Sequence, residues 1–539
     1  MGNDTIPAPL VFSASQSWDG NDGSWSTFTI RVGTPEQNFR VLPSTAGQEI
    51  WVPVPEGCIA SDPSDCGNLR GVYPYDGKTS SGFLSNQSST WKSIGLYDLG
   101  LEHQLGYAGG GMYGFDTVGL MIQNSGGPTL SGQVVAGIAT KDFYLGIFGL
   151  GPKPSNFSNF DYPQPSYMRS LKDQNKIPSL SYGYTAGASY RIPQLPGSLT
   201  FGGYDSSRFN PNQMSFPFGA DDSRVLSIGI QGITATNTLQ GTVSLMSTEI
   251  LSLVDSTVPQ VWLSRTVCDA FENAFGLQYD NKTDLYLVND TIHTKLQTLN
   301  PQISFVLGNT GDPAETVSIS LPYGAFDLQA KSPIYTNTTN YFPLRRASND
   351  TQYTLGRAFL QEAYVIADYE HANFSIHQAH FESHMPSQTI VAILPPEGFA
   401  HNTTNGTSTP QNSKGLPVAA IAGISVGAAA ILLLLAAVLV YFFRRRGRRN
   451  REAPLAELRL DGGIPQWQQD RWHYGAELMS EQKHELDGPT LRHELGGQKG
   501  PALLSDDAVV KVHEMPASDF ESPFRLVVTS GTQRNKDGS

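Results

Sequence analysis

One pattern occurs twice in this chain, 211 residues apart. Ser44, Thr45, Ile50, Trp51 and Val52 align with Asp255, Ser256, Val261, Trp262 and Leu263, and in both copies the Trp follows the first polar residue by seven positions. Each copy is trailed by an apolar–Gly step: Phe148-Gly149 lies 105 residues after Ser44, and Leu355-Gly356 lies 101 after Asp255. A repeat of this spacing implies two structural halves, with the two loops meeting at a pseudo-two-fold axis. The run Phe28-Thr29-Ile30-Arg31-Val32 alternates as a strand does and ends in the turn signal Gly33-Thr34-Pro35. With 54 Gly, 35 Pro and many Thr, Ser, Val and Tyr in 539 residues, the body reads as β-rich and turn-rich, divided into two to four domains.

These two loops resemble those of the pepsin-like aspartic proteases of fungal, membrane-anchored type. In that family each lobe carries Asp-Thr-Gly or Asp-Ser-Gly, and the two Asp face each other across a cleft. Gly197-Ser198-Leu199-Thr200-Phe201-Gly202-Gly203-Tyr204-Asp205 and Tyr353-Thr354-Leu355-Gly356-Arg357-Ala358-Phe359-Leu360 are also similar to family signatures. The resemblance covers roughly residues 26–382 and implies a mainly β, bilobal fold. Residues 26–210 would form the N-terminal lobe and residues 211–392 the C-terminal lobe, after a polar lead over 1–25. It further implies that Thr45 and Ser256 lock the loops together. Trp51 would orient a flap tyrosine, for which Tyr107 is the candidate, in a segment that reads equally as a Gly-rich turn. The small loop between Cys58 and Cys66 would be disulfide-bridged, leaving Cys268 as a buried thiol. Cys268-Asp269-Ala270-Phe271-Glu272-Asn273-Ala274-Phe275 has the spacing of a short amphipathic helix.

The catalytic signature itself is broken. Asp255 retains the acid of the second copy, but Ser44 stands in the first acid's place, and the family glycines are replaced by Ala46 and Thr257. The hydroxyl residues that follow those glycines in the family are Gly47 and Val258 here. Hydrolysis without a covalent intermediate needs a water activated between two carboxylates that share one proton, because close like charges cannot both ionise. A serine hydroxyl cannot replace a carboxylate near neutrality, and it becomes a nucleophile only with a base beside it. The leading expectation is a pseudoprotease that binds extended peptides or acts as a surface receptor. The alternative is an active endopeptidase with a Ser44/Asp255 site. No cofactor or metal motif is present.

Residues 416–443 contain no charged side chain and are followed by Arg444-Arg445-Arg446-Gly447-Arg448-Arg449. About 20 apolar residues cross a bilayer, and the arginine cluster places the following tail on the cytoplasmic side. The Pro/Thr/Asn/Ser-rich residues 393–415 read as a stalk, and 444–539 as a disordered tail with unknown partners. Glycosylation sequons occur at Asn3, Asn86, Asn156, Asn281, Asn289, Asn337, Asn349, Asn373, Asn402 and Asn405, all before the span. The expected topology is therefore single-pass type I, with an extracellular or luminal ectodomain. Met1-Gly2-Asn3-Asp4-Thr5 has neither a basic nor an apolar leader region, so a processed or truncated start is expected. The tail holds 15 Lys+Arg and 15 Asp+Glu, while the other residues hold 21 and 34 and carry the whole charge of −13. Such an acidic surface repels phosphate backbones and argues against nucleic-acid binding.

Overall fold

The computed structural model describes residues 6–157, 161–309 and 315–396. The stretch 416–443, most of the stalk, the tail, and Asn3, Asn402 and Asn405 lie outside the described residues. Among those described, no helix is long and apolar enough to cross a membrane.

The chain opens with strands β1 (Leu10–Phe12), β2 (Ala14–Asp19), β3 (Trp25–Val32), β4 (Gln37–Ser44) and β5 (Ile50–Pro53). Then come β6 (Lys92–Asp98), β7 (Gly110–Leu120), β8 (Thr129–Ile138), β9 (Gly146–Gly149), β10 (Ser181–Ala188) and β11 (Leu195–Phe201). Eight of them form the first sheet, in the order β2-β3-β4-β9-β5-β8-β7-β6. The apolar residues of the alternating run in β3, Phe28, Ile30 and Val32, are fully buried in the core. Arg31, between them, is buried against Glu36 at 2.7 Å.

The repeat read from the sequence is present in the strand ladders. Strand β4 runs parallel to β9, with Pro43 opposite Phe148 and Ser44 opposite Gly149. In the second half Ile250–Val254 runs parallel to Thr354–Leu355, with Val254 opposite Leu355. The antiparallel contacts repeat as well: Trp51 faces Ile147, and Trp262 faces Thr354. Both trailing glycines are required by close approach. A Cβ on Gly149 would lie 2.5 Å from the Gln48 backbone, and one on Gly356 would lie 2.2 Å from the Gln260 carbonyl oxygen.

A third sheet joins the halves, in the order β1, β11, β10, Ala363–Asp368, Asn373–Ala379, Phe209–Asn210. The polar lead over residues 1–25 therefore contributes β1, which pairs with β11 and buries Phe12, and β2, which pairs with β3. The line drawn between residues 210 and 211 passes through it too, since Phe209–Asn210 and Phe216–Pro217 both pair with Asn373–Ala379.

Cys58 and Cys66 are bridged, with S–S 2.03 Å. Cys268 is a free, buried thiol, and burial pushes its pKa up to about 12. It lies in the helix Arg265–Phe275, which is capped by Ser264 and stopped at Gly276 in the left-handed region. Of the described sequon asparagines, Asn86, Asn281, Asn289, Asn337 and Asn349 are exposed, and Asn156 and Asn373 are half-buried.

The close approach at Gly356 gives a direct test. Gly356→Ala should lower unfolding free energy by about 1–3 kcal/mol, because the clashing atoms are backbone carbonyls that cannot rotate away. Unchanged stability in chemical denaturation would contradict this packing.

Candidate active site

The loops following β4 and Ile250–Val254 are joined by four crossed hydrogen bonds. Thr45 N–H donates to Ser256 Oγ at 3.0 Å, and Ser256 N–H donates to Thr45 Oγ1 at 3.0 Å. Thr45 Oγ1 donates to the Val254 carbonyl at 3.0 Å, and Ser256 Oγ to the Pro43 carbonyl at 2.7 Å. Each hydroxyl thus accepts from the opposite backbone and donates to it, which is the arrangement a two-fold axis imposes. Thr45 and Ser256 are brought together as the repeat requires.

Ser44 and Asp255 stand on either side of this axis, both fully buried. The Thr257 side chain stands between them. Ser44 Oγ lies 2.7 Å from Thr257 Oγ1, and the Thr257 hydroxyl also hydrogen-bonds the Asp255 carboxylate. The Thr257 N–H donates to Asp255 Oδ1 at 2.8 Å, and the Gly47 N–H donates to Ser44 Oγ at 2.7 Å. A carboxylate only accepts, so the hydroxyl protons are ordered: Gly47 N–H to Ser44, Ser44 O–H to Thr257, Thr257 O–H to Asp255. Thr257, read from the sequence only as a lost glycine, restores a hydroxyl to the carboxylate. The same bonds leave Ser44 with no base in direct contact, because the Asp255 carboxylate lies beyond the Thr257 hydroxyl.

Asp255 Oδ2 receives no hydroxyl or amide. The Glu102 side chain lies against the same carboxyl and hydrogen-bonds it. Sequence reasoning missed this residue. Glu102 sits in the connection between β6 and β7, in the 3₁₀ turn region His103–Leu105, and is 4% exposed. Its φ of 59° is left-handed, which costs a residue with a Cβ about 1–2 kcal/mol, so the contacts around it must hold it there. Burial raises its carboxyl well above the ordinary glutamic acid value, and the Asp255 carboxylate raises it further. Asp255 is also raised by burial, against the lowering bonds from Thr257. The two acids therefore hold one proton between them at pH values where an exposed pair would hold none.

The same connection fills the cleft on both sides of Glu102. Leu105 packs with Val258 and Trp262, and Leu101 lies beside Gly47. Tyr107, the flap candidate, stacks on Phe143 with ring centroids 5.4 Å apart. Trp51 also touches Phe143, at 4.9 Å, but its Nε1–H donates to Glu49 at 3.2 Å. Glu49 in turn accepts from Tyr113 at 2.6 Å and Ser155 at 2.7 Å. The indole proton of Trp51 is therefore taken by a carboxyl oxygen. A space of about 360 Å³ lies between Gly47, Trp51, Leu101 and Tyr369, and one of about 20 Å³ beside Tyr107 and Arg357. Arg357 bonds the carbonyls of Ser256 at 3.0 Å and Thr257 at 2.6 Å, and pairs with Asp22 at 3.3 Å. Its buried positive charge favours the ionised form of Asp255. Among the described residues no group of three or more His, Cys, Asp or Glu is arranged to hold a metal ion.

Residues 27–379 match the family eukaryotic aspartyl protease, and the chain belongs to that family. It is similar to aspartic proteinase 3 of Saccharomyces cerevisiae, 22% identical over 76% of this chain and 80% of the relative. Secreted aspartic protease 8 of Candida albicans is 25% identical over 69% of this chain and 80% of its own length. Aspartic proteinase yapsin-3 of Saccharomyces cerevisiae is 22% identical over 72% of each.

If the crossed bonds carry the junction, Ser256→Ala should cost about 1–3 kcal/mol. It leaves the Thr45 N–H and the Pro43 carbonyl unpaired in a dry interior. A loss near zero in equilibrium unfolding would show that the lock is dispensable.

Proposed function

We propose that this pepsin-like ectodomain has lost peptidase turnover and serves as a membrane-anchored binding module for extended peptide or protein segments. The observation that carries this reading is the floor of the site itself, where Ser44, bonded to Thr257, stands in place of a carboxylate opposite Asp255. Ser44 is hydrogen-bonded to Thr257, so no base contacts it directly, and Asp255 lies beyond a second hydroxyl. Position 44 supplies no second carboxylate, so a water could not be activated between two opposed acids. General acid–base help is worth about 10²–10⁴-fold per group, and one of the two groups is gone. The Ser44/Asp255 endopeptidase reading would need the Ser44 proton to pass through Thr257 to a carboxyl that Glu102 already engages, which is a weaker relay than a base in direct contact. Retention of the interlobe lock and of Trp51 and Trp262 favours a cleft kept for binding. The uncharged stretch 416–443, its arginine cluster and the placement of the sequons support a single-pass surface or luminal glycoprotein with a cytoplasmic tail.

The purified protein should cleave no peptide between about pH 3 and 7, the range a shared-proton pair can serve. Turnover that disappears in Asp255→Asn would establish a working single-acid site and end this reading. Ser44→Asp alone should also remain inactive. Its carboxylate would face Thr257 and the Gly47 N–H, while Glu102 still holds Asp255. Strong acid-pH activity in that variant would show that only one residue separates this site from a working one.

A further inference from the structure

The connection from β6 to β7 behaves as a ligand of the cleft it covers. Leu101, Glu102, Leu105 and Tyr107 each enter a different part of it: beside Gly47, on Asp255, against Val258 and Trp262, and onto Phe143. Gln352 Nε2 fastens the Gln104 carbonyl from the second half. The segment is tied to itself, with Leu99 N–H donating to the Gly109 carbonyl at 2.9 Å and Tyr107 N–H to the Glu102 carbonyl at 3.2 Å, and it is held at the rim where Asp142 and Thr140 bond Ala108 at 3.0 and 3.2 Å. Gly100 and Gly106 have φ of +68° and +85°, and a Cβ on either would meet nothing within 4 Å. Left-handed glycines on both sides of residues 101–105 are where such a segment can hinge. The one polar anchor that reaches the buried floor is Glu102.

We propose that residues 99–109 form a proton-dependent lid, latched by Glu102 on Asp255, which closes the cleft while the pair holds a proton and releases as that proton passes to solvent. The lid's use as a gate rests on the peptide-binding reading above; the latch itself does not.

The groups around Glu102 fix the sign. Asp255 faces it from the second loop and opposes its ionisation; Arg224 favours it. Arg224 is also held by the carbonyls of Thr351 and Tyr353 and interacts with Asp255 and Asp350. On the lid, Gln104 donates to Glu102 at 2.9 Å, while His103 pairs outward with Asp98 at 3.1 Å. Tyr107 feels Glu102 as well as Arg345, Arg357 and Asp22. Burial outweighs the single facing cation, so the closed lid holds its proton more tightly than an open one, whose Glu102 is solvated. Below the ordinary glutamic acid value the latch has full strength. Between that value and the raised one, each pH unit shifts the closed-to-open ratio about tenfold toward open. Above the raised value the ratio is flat again. The lid is thus shut in acid and loosens toward neutrality, the reverse of what an acid protease requires.

Hydrogen–deuterium exchange of the full-length protein tests this, from about pH 4 to about pH 8, with rates corrected for intrinsic pH dependence. Protection of the 99–109 amides should fall by up to about tenfold per pH unit in the wild type. In Glu102→Gln, which stays neutral and can still donate to Asp255, protection should persist at every pH. In Glu102→Ala it should be low at every pH, while the amides of β10 remain protected and report an intact fold. Identical pH profiles in the wild type and Glu102→Gln would overturn the latch, as would pH-independent protection in the wild type. Acid-pH peptide cleavage abolished by Glu102→Gln would also overturn it, because the pair would then be catalytic. A pH-gated lid over a cleft that retains no member of an extended-peptide library would support the latch and defeat only the binding reading.

Discussion

The structure depends first on the crossed hydroxyls of Thr45 and Ser256. Four hydrogen bonds, each worth about 0.5–1.5 kcal/mol net, fix two loops drawn from opposite halves in one orientation. Once that orientation is set, positions 44 and 255 must lie on either side of the same axis, at the floor of whatever cleft the halves enclose. The trailing glycines serve the same end, since a Cβ on Gly149 or Gly356 would push a loop backbone out of place. The geometry of this junction therefore does not require an acid at position 44, and a serine is accommodated without disturbing it.

The change at position 44 reorders everything polar around it. With one carboxylate missing, Asp255 is a lone buried charge, which is costly unless neutralised or surrounded by donors. Thr257 supplies two donors, through its N–H and its hydroxyl. Arg357 supplies a nearby positive charge, and Glu102 supplies a proton. The last of these comes from the lid rather than from the floor, and therein lies the difference from a catalytic pair. Two acids on the floor leave space above for water and substrate. An acid reaching down from the lid occupies that space, and Leu105 against Val258 and Trp262 fills more of it.

Much of this was legible in the sequence. The Trp51 and Trp262 spacings and the Phe148-Gly149 and Leu355-Gly356 steps announced the two halves, because strand pairing around a two-fold axis must repeat the same residue types. The Cys58–Cys66 bridge and the buried Cys268 followed from the family resemblance. The lead over residues 1–25 was misjudged because β1 is only three residues long, too short for alternation to show, and its apolar partners lie in β11. Glu102 was invisible for a related reason. It is the sole acid among Leu99, Leu101, Leu105 and several glycines, and nothing local says that it folds onto a residue 153 positions away. Thr257 was read as damage because sequence shows the loss of a glycine but not where the new hydroxyl points.

The central claim is that Glu102 and Asp255 share one buried proton across the cleft. Infrared difference spectroscopy with isotope-labelled glutamate measures it most directly, by following the carboxylic acid C=O stretch as pH rises. One glutamic acid should stay protonated well above its ordinary value of about 4.3. That signal should be absent in Glu102→Gln and titrate at lower pH in Asp255→Asn, where the neighbouring negative charge is gone. A spectrum in which every glutamate ionises in the ordinary range, unchanged by Asp255→Asn, would contradict it.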